Sequence, residues 1–150
     1  MYLAQLNIAR LLAPIDHPQI ADFVAQIPSI NALAEQSEGF VWRLKDEESD
    51  NATGYNPFGD PLYIVNMSVW TSIDTLRDFA FRSAHRDVMK DRNNWFEKHL
   101  KAYLVLWWVP VGHEPTLDEA KERLNHLQQH GESPFAFTFK VRYDAEGNLV

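Results

Sequence analysis

Residues 62–70 alternate between apolar and polar side chains, a pattern typical of a β-strand with two different faces. One face is apolar throughout and carries Tyr63, Val65, Met67 and Val69. The opposite face presents Asn66, Ser68 and Trp70. A strand of this kind must lie in a sheet that packs its apolar face against other elements. The strands and helices that accompany this strand therefore decide the fold.

Similar patterns predict further strands at residues 2–9, 40–44, 103–109 and 135–143. Helical spacing predicts a helix from Pro18, which Pro28 interrupts before a second piece at residues 29–36. Two more helices are predicted, one with a stripe at Ile73, Leu76, Phe79 and Ala80, and one over residues 83–101 with Ser83 as N-cap. Thr116 and Glu119 form a capping box that begins a last helix, which Gly131 ends.

The order β-α-β-β-α-β, followed by α-β, predicts an α+β fold. We expect a ferredoxin-like split βαβ sandwich with an antiparallel sheet and a C-terminal helix and strand, in one domain over residues 1–150. Helices cover only one face of such a sheet. A second copy of the chain is the simplest cover for the other face, so the pattern predicts a homodimer.

Composition narrows the classes of function. Apolar residues make up 45% and charged residues 23% of the 150, as in ordinary globular proteins, and the net charge is −7. An acidic chain lacks the basic footprint of a nucleic-acid-binding protein. No cysteine is present, which excludes disulfides and zinc–thiolate sites. Neither a signal peptide nor a membrane span is found, so we expect a cytoplasmic protein without a membrane partner.

Polar side chains on two strands suggest a binding site. Gln5 and Asn7 share one face of the first strand, opposite Tyr2, Leu6 and Ile8, and we expect helices to cover the latter face. The face without helices would then carry Gln5, Asn7, Asn66 and Ser68. These groups belong either to a surface that is covered by solvent or by a partner chain, or to a small-molecule pocket that contains a few polar groups. The aromatic content of 13% favours the pocket.

The predicted helix over residues 83–101 places polar groups on an apolar face. His85 and Arg92 fall at helical spacing with Val88, Met89, Trp95, Phe96 and His99. Both need partners if that face is buried. Either they make structural hydrogen bonds or ion pairs, or His85 is a general base or a metal or haem ligand and Arg92 binds an anionic group.

Two other features carry weaker predictions. His126 and His130 are spaced as a metal pair, but they lie on the polar side of a helix and lack a third ligand, so we interpret them as surface residues. Residues 46–61 form a long polar loop, which is either a flap with Tyr55 and Phe58 as its apolar contacts or a disordered insertion.

Three runs carry a family resemblance: FRSAHRDVMKDRNNWFEKH, LVLWWVPVGHEPTLDEAKERL and SPFAFTF. They resemble the uncharacterised DUF3291 family over nearly the whole chain. That family is grouped with the dimeric α/β-barrel superfamily, which includes proteins similar to antibiotic-biosynthesis monooxygenases. The resemblance implies two ferredoxin-like protomers paired sheet to sheet as a dimeric α/β barrel. Relatives include cofactor-free oxygenases of aromatic polyketides and haem-degrading oxygenases.

The resemblance also suggests site residues. Asn7, Trp70 and His85 match the asparagine, tryptophan and histidine that the haem-degrading branch uses, and we expect them to be catalytic. The predicted substrate-binding residues are Trp42, Asn66, Ser68, Arg92 and Trp95, and no metal is expected. Three hypotheses follow for the homodimer: a cofactor-independent monooxygenase of an aromatic or polyketide-like substrate, a haem-binding or haem-degrading protein with His85 as ligand, or a non-catalytic dimeric binding or stabilising protein.

Overall fold

One antiparallel sheet organises the chain. Its strands are β1 (Tyr2–Arg10), β2 (Phe40–Arg43), β3 (Tyr63–Trp70) and β4 (Leu104–Val109), in the order β2-β3-β1-β4. The helices are α1 (Ala21–Gln36), α2 (Ile73–Arg82) and α3 (Leu117–His130), and 3-10 turns lie at Pro18–Ile20 and Arg92–Asn94. This architecture is that of a computed structural model of the chain, which describes residues 1–46, 49–82, 90–98 and 101–150.

The strand order confirms the predicted ferredoxin-like α+β fold. β1 and β3 are the central strands, and each βαβ unit contributes one of them. In their antiparallel register Gln5 lies opposite Ser68, and Asn7 lies opposite Asn66. The four polar residues that stand out in the alternation therefore form one patch in the middle of the sheet.

The prediction of which face the helices cover was wrong. α1 and α2 pack on the face that carries Leu3 and Trp70, which is also the face of Gln5 and Asn7. The opposite face, with Leu6, Met67 and Val105, is closed by α3 through Ala120, Leu124 and Leu127. A fully apolar sheet face is the better partner for the apolar stripe of α3, because close packing there leaves no polar group unpaired. The described residues thus cover both faces within one chain, which removes the open face from which a homodimer was predicted.

A β-bulge in β2 changes the faces of its side chains. Phe40 lies opposite Trp70, but the register shifts before Trp42, which lies opposite Val69. A bulge adds one residue to a strand and reverses the alternation beyond it. Phe40 consequently packs on the side of α1 and α2, whereas Trp42 packs on the side of α3.

Two predicted helices differ from the structure. α1 runs unbroken through Pro28. The predicted helix over 83–101 falls partly outside the described residues, including its N-cap Ser83, and its described end is not α-helical beyond Lys90. There the backbone N–H of Leu12 donates to the carbonyl of Trp95 over 2.8 Å, and that of Glu97 donates to the carbonyl of Arg10 over 2.9 Å. Extended pairing with the end of β1 satisfies these backbone groups in place of a helix.

The predicted start and end of the last helix are confirmed. The side chain of Thr116 accepts the N–H of Glu119 over 3.1 Å, and Gly131 ends α3 with a φ of 78°. Residues 135–143 form isolated bridges, such as Phe137 with Leu106, and not the regular strand that was predicted. No helix of the described segments is long and apolar enough to cross a membrane. A cytoplasmic location stays a prediction.

Candidate ligand-binding cavity

A cavity of about 520 Å³ lies between the sheet and the helices α1 and α2. Its volume is within the range of small-molecule sites. The sheet supplies the floor with Gln5, Asn7, Ile64, Asn66, Ser68 and Trp70. The helices supply apolar walls with Phe23, Ile27, Ile30, Leu76 and Phe79. The polar patch of the central strands is therefore the floor of a cavity that is partly open to solvent, where Asn66 is exposed.

A hydrogen-bonded network orders the floor. The Gln5 amide donates from Nε2 to Asn66 Oδ1 over 2.7 Å and to Ser68 Oγ over 2.8 Å. The Trp70 indole donates from Nε1 to the same Ser68 Oγ over 2.8 Å. Gln5, Ser68 and Trp70 are all buried, while Asn66 is exposed. Because each buried group has a partner, the network holds the floor in one arrangement.

The two asparagines of the floor have spare hydrogen-bonding capacity. Asn66 uses its carbonyl oxygen for Gln5, which leaves its amide N–H groups as donors. The side chain of Asn7 has no hydrogen-bond partner within the described part of the chain. Since the two residues lie opposite each other on β1 and β3, both amides are available to a single oxygen atom of a ligand.

Aromatic rings enclose the end of the cavity beside α2. The Trp70 ring stacks on Phe79 with centroids 5.2 Å apart and meets Phe40 edge-on at 5.6 Å. Trp70 is almost fully buried and its indole N–H is bound to Ser68, so its orientation is fixed. Flat aromatic walls of this kind favour flat apolar ligands.

Two arginines line the cavity, and of these only Arg43 is paired with carboxylates of the described residues. Arg43 is 8% exposed, and its guanidinium lies 2.8 Å from Glu35 and 2.8 Å from Asp50. It ties β2 to α1 and to the long loop. Arg92 stacks over the Tyr103 ring, 5.4 Å from its centroid, and pairs with no carboxylate of the described residues.

A third arginine, Arg10, fixes the end of β1 outside the cavity. Its guanidinium lies 2.9 Å from Asp60 and 2.9 Å from Glu97, and these bonds raise the pKa of Arg10. The backbone N–H of Leu62 and the Arg10 guanidinium hold the pKa of the Asp60 carboxyl below its usual value. These bonds attach the end of the long loop (residues 46–61) and the segment after Arg92 to the end of β1.

The cavity includes most of the residues predicted for the site. Asn7, Asn66, Ser68, Trp70 and Arg92 line it. His85 lies outside the described residues.

Two predicted ligand contacts, Trp42 and Trp95, do not line the cavity. The bulge in β2 directs Trp42 to the α3 side. Trp95 is buried with Leu11 and Ile20 beyond the end of β1.

Sequence reasoning missed several lining groups. Helical spacing assigns Phe79 to an apolar stripe, and it carries no signal for a role at a cavity wall. Gln5 was predicted to share the polar face, but its two bonds, which make it the centre of the floor network, have no signal in the sequence. Asn51 and Thr53 of the long loop also line the cavity, whereas Tyr55 and Phe58, predicted as flap contacts, pack on the α3 side.

The structure offers no metal site among its described residues, where no three His, Asp or Glu side chains converge. His126 and His130 contact each other on α3 with ring centroids 4.7 Å apart and the ring planes tilted by 50°.

The fold and the cavity define a ferredoxin-like α+β protein with a small-molecule-sized cavity between sheet and helices. The chain belongs to the DUF3291 family, a domain of unknown function whose model matches residues 2–149, which confirms the resemblance seen in the sequence. No curated protein matches it.

Several solved structures are similar to this chain. Protein YJCS has a TM-score of 0.50 at 11% identity, over 73% of this chain and 100% of that chain. The NE2512 protein of unknown function from Nitrosomonas europaea has a TM-score of 0.50 at 12% identity, over 77% and 95%. SnoaB, a cofactor-independent oxygenase from Streptomyces nogalater, has a TM-score of 0.46 at 18% identity, over 79% and 98%. The two structures with a TM-score of 0.50 share the fold of this chain, and identities this low show nothing of the reaction.

Proposed function

We propose that the protein binds a flat, largely apolar small molecule in the cavity between the sheet and the helices α1 and α2. The observation that carries this proposal is the amide floor within apolar walls. Asn7 and Asn66 present polar groups on the floor, and Trp70 and Phe79 form an aromatic wall farther along it. Apolar surface supplies affinity in such sites, and a few fixed polar groups set the orientation of the ligand.

The reaction that we propose for this cavity is a cofactor-independent oxygenation. An aromatic substrate with an activated methylene group loses a proton, and molecular oxygen oxidises the resulting carbanion. One oxygen atom becomes the new carbonyl, and the other leaves as water with the two hydrogens of the methylene. Asn7 and Asn66 would stabilise the oxygen onto which the carbanion charge spreads. The apolar walls would exclude water.

The proposed reaction also needs a group that accepts the proton from the substrate. The described lining residues include no histidine, aspartate or glutamate. His85 keeps the role of general base only as a prediction, and His85→Ala tests it directly through the rate and its pH profile.

Oxidation of anthrone to anthraquinone tests the proposed reaction. The rate is followed by absorbance together with oxygen uptake, and the spontaneous rate without protein is subtracted. We expect Asn7→Ala and Asn66→Ala each to lower the protein-dependent rate by about a hundredfold, the typical cost of one lost oxyanion donor. Asn125→Ala is the matched control, because Asn125 is exposed on α3 outside the cavity.

Binding and turnover are separated by measuring the thermal stability of the protein with anthrone under nitrogen. Binding to the folded state raises the unfolding temperature. A raised unfolding temperature without turnover would favour the third hypothesis, a non-catalytic binding protein. No rise and no turnover would refute the proposed site for this class of ligand.

The haem hypothesis finds little support in the cavity. The described lining contains no imidazole, thiolate or thioether, so it supplies none of these axial ligands. Among the described lining residues, Tyr103 is the one whose side chain is of a haem-ligating type, and histidine ligation would depend on His85. A haemin titration followed by absorbance decides the question, since a Soret band that is lost in His85→Ala would replace the cofactor-free proposal.

A homodimer remains a proposal that follows from the family resemblance. The cavity does not depend on it, because all of its described lining groups belong to one chain. Light scattering of the purified protein gives the mass, and a monomer mass would refute the dimer without affecting the cavity.

A further inference from the structure

Arg92 carries a charge in the cavity that no described carboxylate neutralises. The described lining includes two arginines and no acidic residue. Arg43 is bound by Glu35 and Asp50, so its charge is balanced. Within the described residues, Arg92 makes a stacking contact with Tyr103 and no ion pair. In a chain of net charge −7, an unbalanced cation beside an apolar cavity is a ready partner for an anionic ligand group.

The floor presents donors on the same side. Ser68 Oγ accepts hydrogen bonds from the side-chain amide of Gln5 and from the indole N–H of Trp70. Asn66 Oδ1 accepts a second hydrogen bond from the Gln5 amide. The amide N–H groups of Asn66 are left over. Arg92 and these donors line the same cavity. Arg92 lies over the ring of Tyr103, whose backbone carbonyl accepts the N–H of Ile8, the residue after Asn7, so the cation belongs to the same end of β1 as Asn7.

The aromatic wall lies at the opposite end. Trp70 lies across from Leu3 in the sheet, four residues before Asn7 on β1. A rise of roughly 3.3 Å per residue separates the two ends by about 13 Å. A ligand that reaches both ends must be elongated, with its polar group at one tip.

We infer that the ligand is an elongated aromatic acid. Its carboxylate lies against Arg92 and the amides of Asn7 and Asn66, and its rings extend along the floor to Trp70 and Phe79. This inference rests on the proposed function, since it assigns polarity and orientation to a ligand of the same cavity. The acid group would be the part that sets the direction in which the substrate enters.

Three fluorescent probes with the same rings test the inference. They are anthracene-2-carboxylate, anthracene-2-carboxamide and the cationic 2-(aminomethyl)anthracene, each titrated against the full-length protein. The carboxylate should bind most tightly and the cation most weakly. Arg92→Gln should weaken carboxylate binding by roughly ten- to hundredfold, the range for a lost charge-assisted bond, and leave the carboxamide unchanged. Arg92→Lys should restore much of the carboxylate affinity.

Arg77→Gln is the matched control, because Arg77 is exposed on α2 outside the cavity and loses the same charge. Circular dichroism checks the fold of each variant. If Arg92→Gln does not fold, the salt dependence of the wild-type protein replaces it. Carboxylate binding should then weaken as salt is added, while carboxamide binding should not.

The outcomes distinguish the inference from the proposed function. If none of the three probes binds, the proposed binding site fails, and the inference fails with it. If all three bind with equal affinity, or if Arg92→Gln weakens them alike, the site stands and the acid-binding inference is wrong. Tightest binding of the cation would also overturn it.

Discussion

Ser68 accepts two hydrogen bonds from buried donors and thereby connects the central strands to the aromatic wall. Ser68→Ala would leave the indole N–H of Trp70 without a partner and Gln5 with one of its two. A buried donor that loses its partner costs about 1–3 kcal/mol. We expect the free energy of unfolding to fall by about 2 kcal/mol, measured by urea denaturation.

The control for this prediction is Ser29→Ala. Ser29 is exposed on α1 and outside the cavity, and the same loss of a hydroxyl there should change stability by only a few tenths of a kcal/mol. Equal effects of the two substitutions would show that the floor network does not order the cavity.

Asp60 makes the stability of the protein depend on acid pH. Its pKa is lowered in the folded state by the backbone N–H of Leu62 and by Arg10, from an ordinary value of 3.8. A lowered pKa contributes stability that is present above 3.8 and is lost as the pH falls through the folded value. The unfolding temperature of the wild-type protein should therefore decrease as the pH is lowered below 3.8, and that of Asp60→Asn should decrease less steeply. Asp144→Asn is a second variant of the same kind, because the N–H groups of Asn148 and Glu146 lower the pKa of Asp144. An identical pH dependence in all three proteins would contradict the argument.

At the scale of elements, α1 contains a proline that its sequence predicted would interrupt it. Pro28 has no N–H for the carbonyl of Val24, yet the helix continues on both sides. Because Pro28 is exposed, Pro28→Ala removes no buried contact and restores one backbone hydrogen bond. The proline also stiffens the unfolded chain, which offsets part of this gain.

We expect Pro28→Ala to raise the free energy of unfolding by about 1–2 kcal/mol in urea denaturation. Ser29→Ala, in the same helix, controls for the change in helix propensity alone. A loss of stability would instead show that the local shape of the helix at Pro28 is needed for its packing over the cavity.

The strands and α3 could be predicted from the sequence because their signals are local. Alternation over residues 62–70 and the capping box at Thr116 depend only on neighbouring residues. The faces could not be predicted in the same way, since alternation separates two faces without telling which helix covers each. The bulge before Trp42 and the bridge between Leu11 and Phe96 depend on pairing with distant strands, and no local pattern marks either.

The same distinction between local patterns and distant pairing applies to the residues of the candidate site. Asn7, Asn66 and Trp70 line the cavity, and they could be singled out because polar or large side chains stood out on strands. Trp42 and Trp95 lie outside the lining because their positions depended on the bulge and on the end of a helix. Arg92 lines the cavity although the helix from which its position was argued does not extend to it, so its placement had a different cause.

At the scale of the whole molecule, the two faces of the sheet are closed in different ways. The apolar face packs against Ala120, Leu124 and Leu127 of α3, where Trp107 Nε1 also donates to Glu119 Oε2 over 2.8 Å, and such packing supplies stability through burial. The other face carries the amides and keeps a cavity beneath α1 and α2. One side of the sheet thus holds the fold together, while the other side leaves room for a ligand.

This division predicts that stability does not depend on a second chain. When two copies must cover each other to fold, the unfolding temperature rises with protein concentration by mass action. Because α3 covers the apolar face, the unfolding temperature should stay constant over a concentration range on the order of a hundredfold. Leu124→Ala is the companion variant, because removing a buried leucine from α3 should cost about 2–5 kcal/mol at every concentration. A rise of the wild-type unfolding temperature with concentration would show that association with a second chain adds to the stability of the fold, and packing of α3 alone would then not account for that stability.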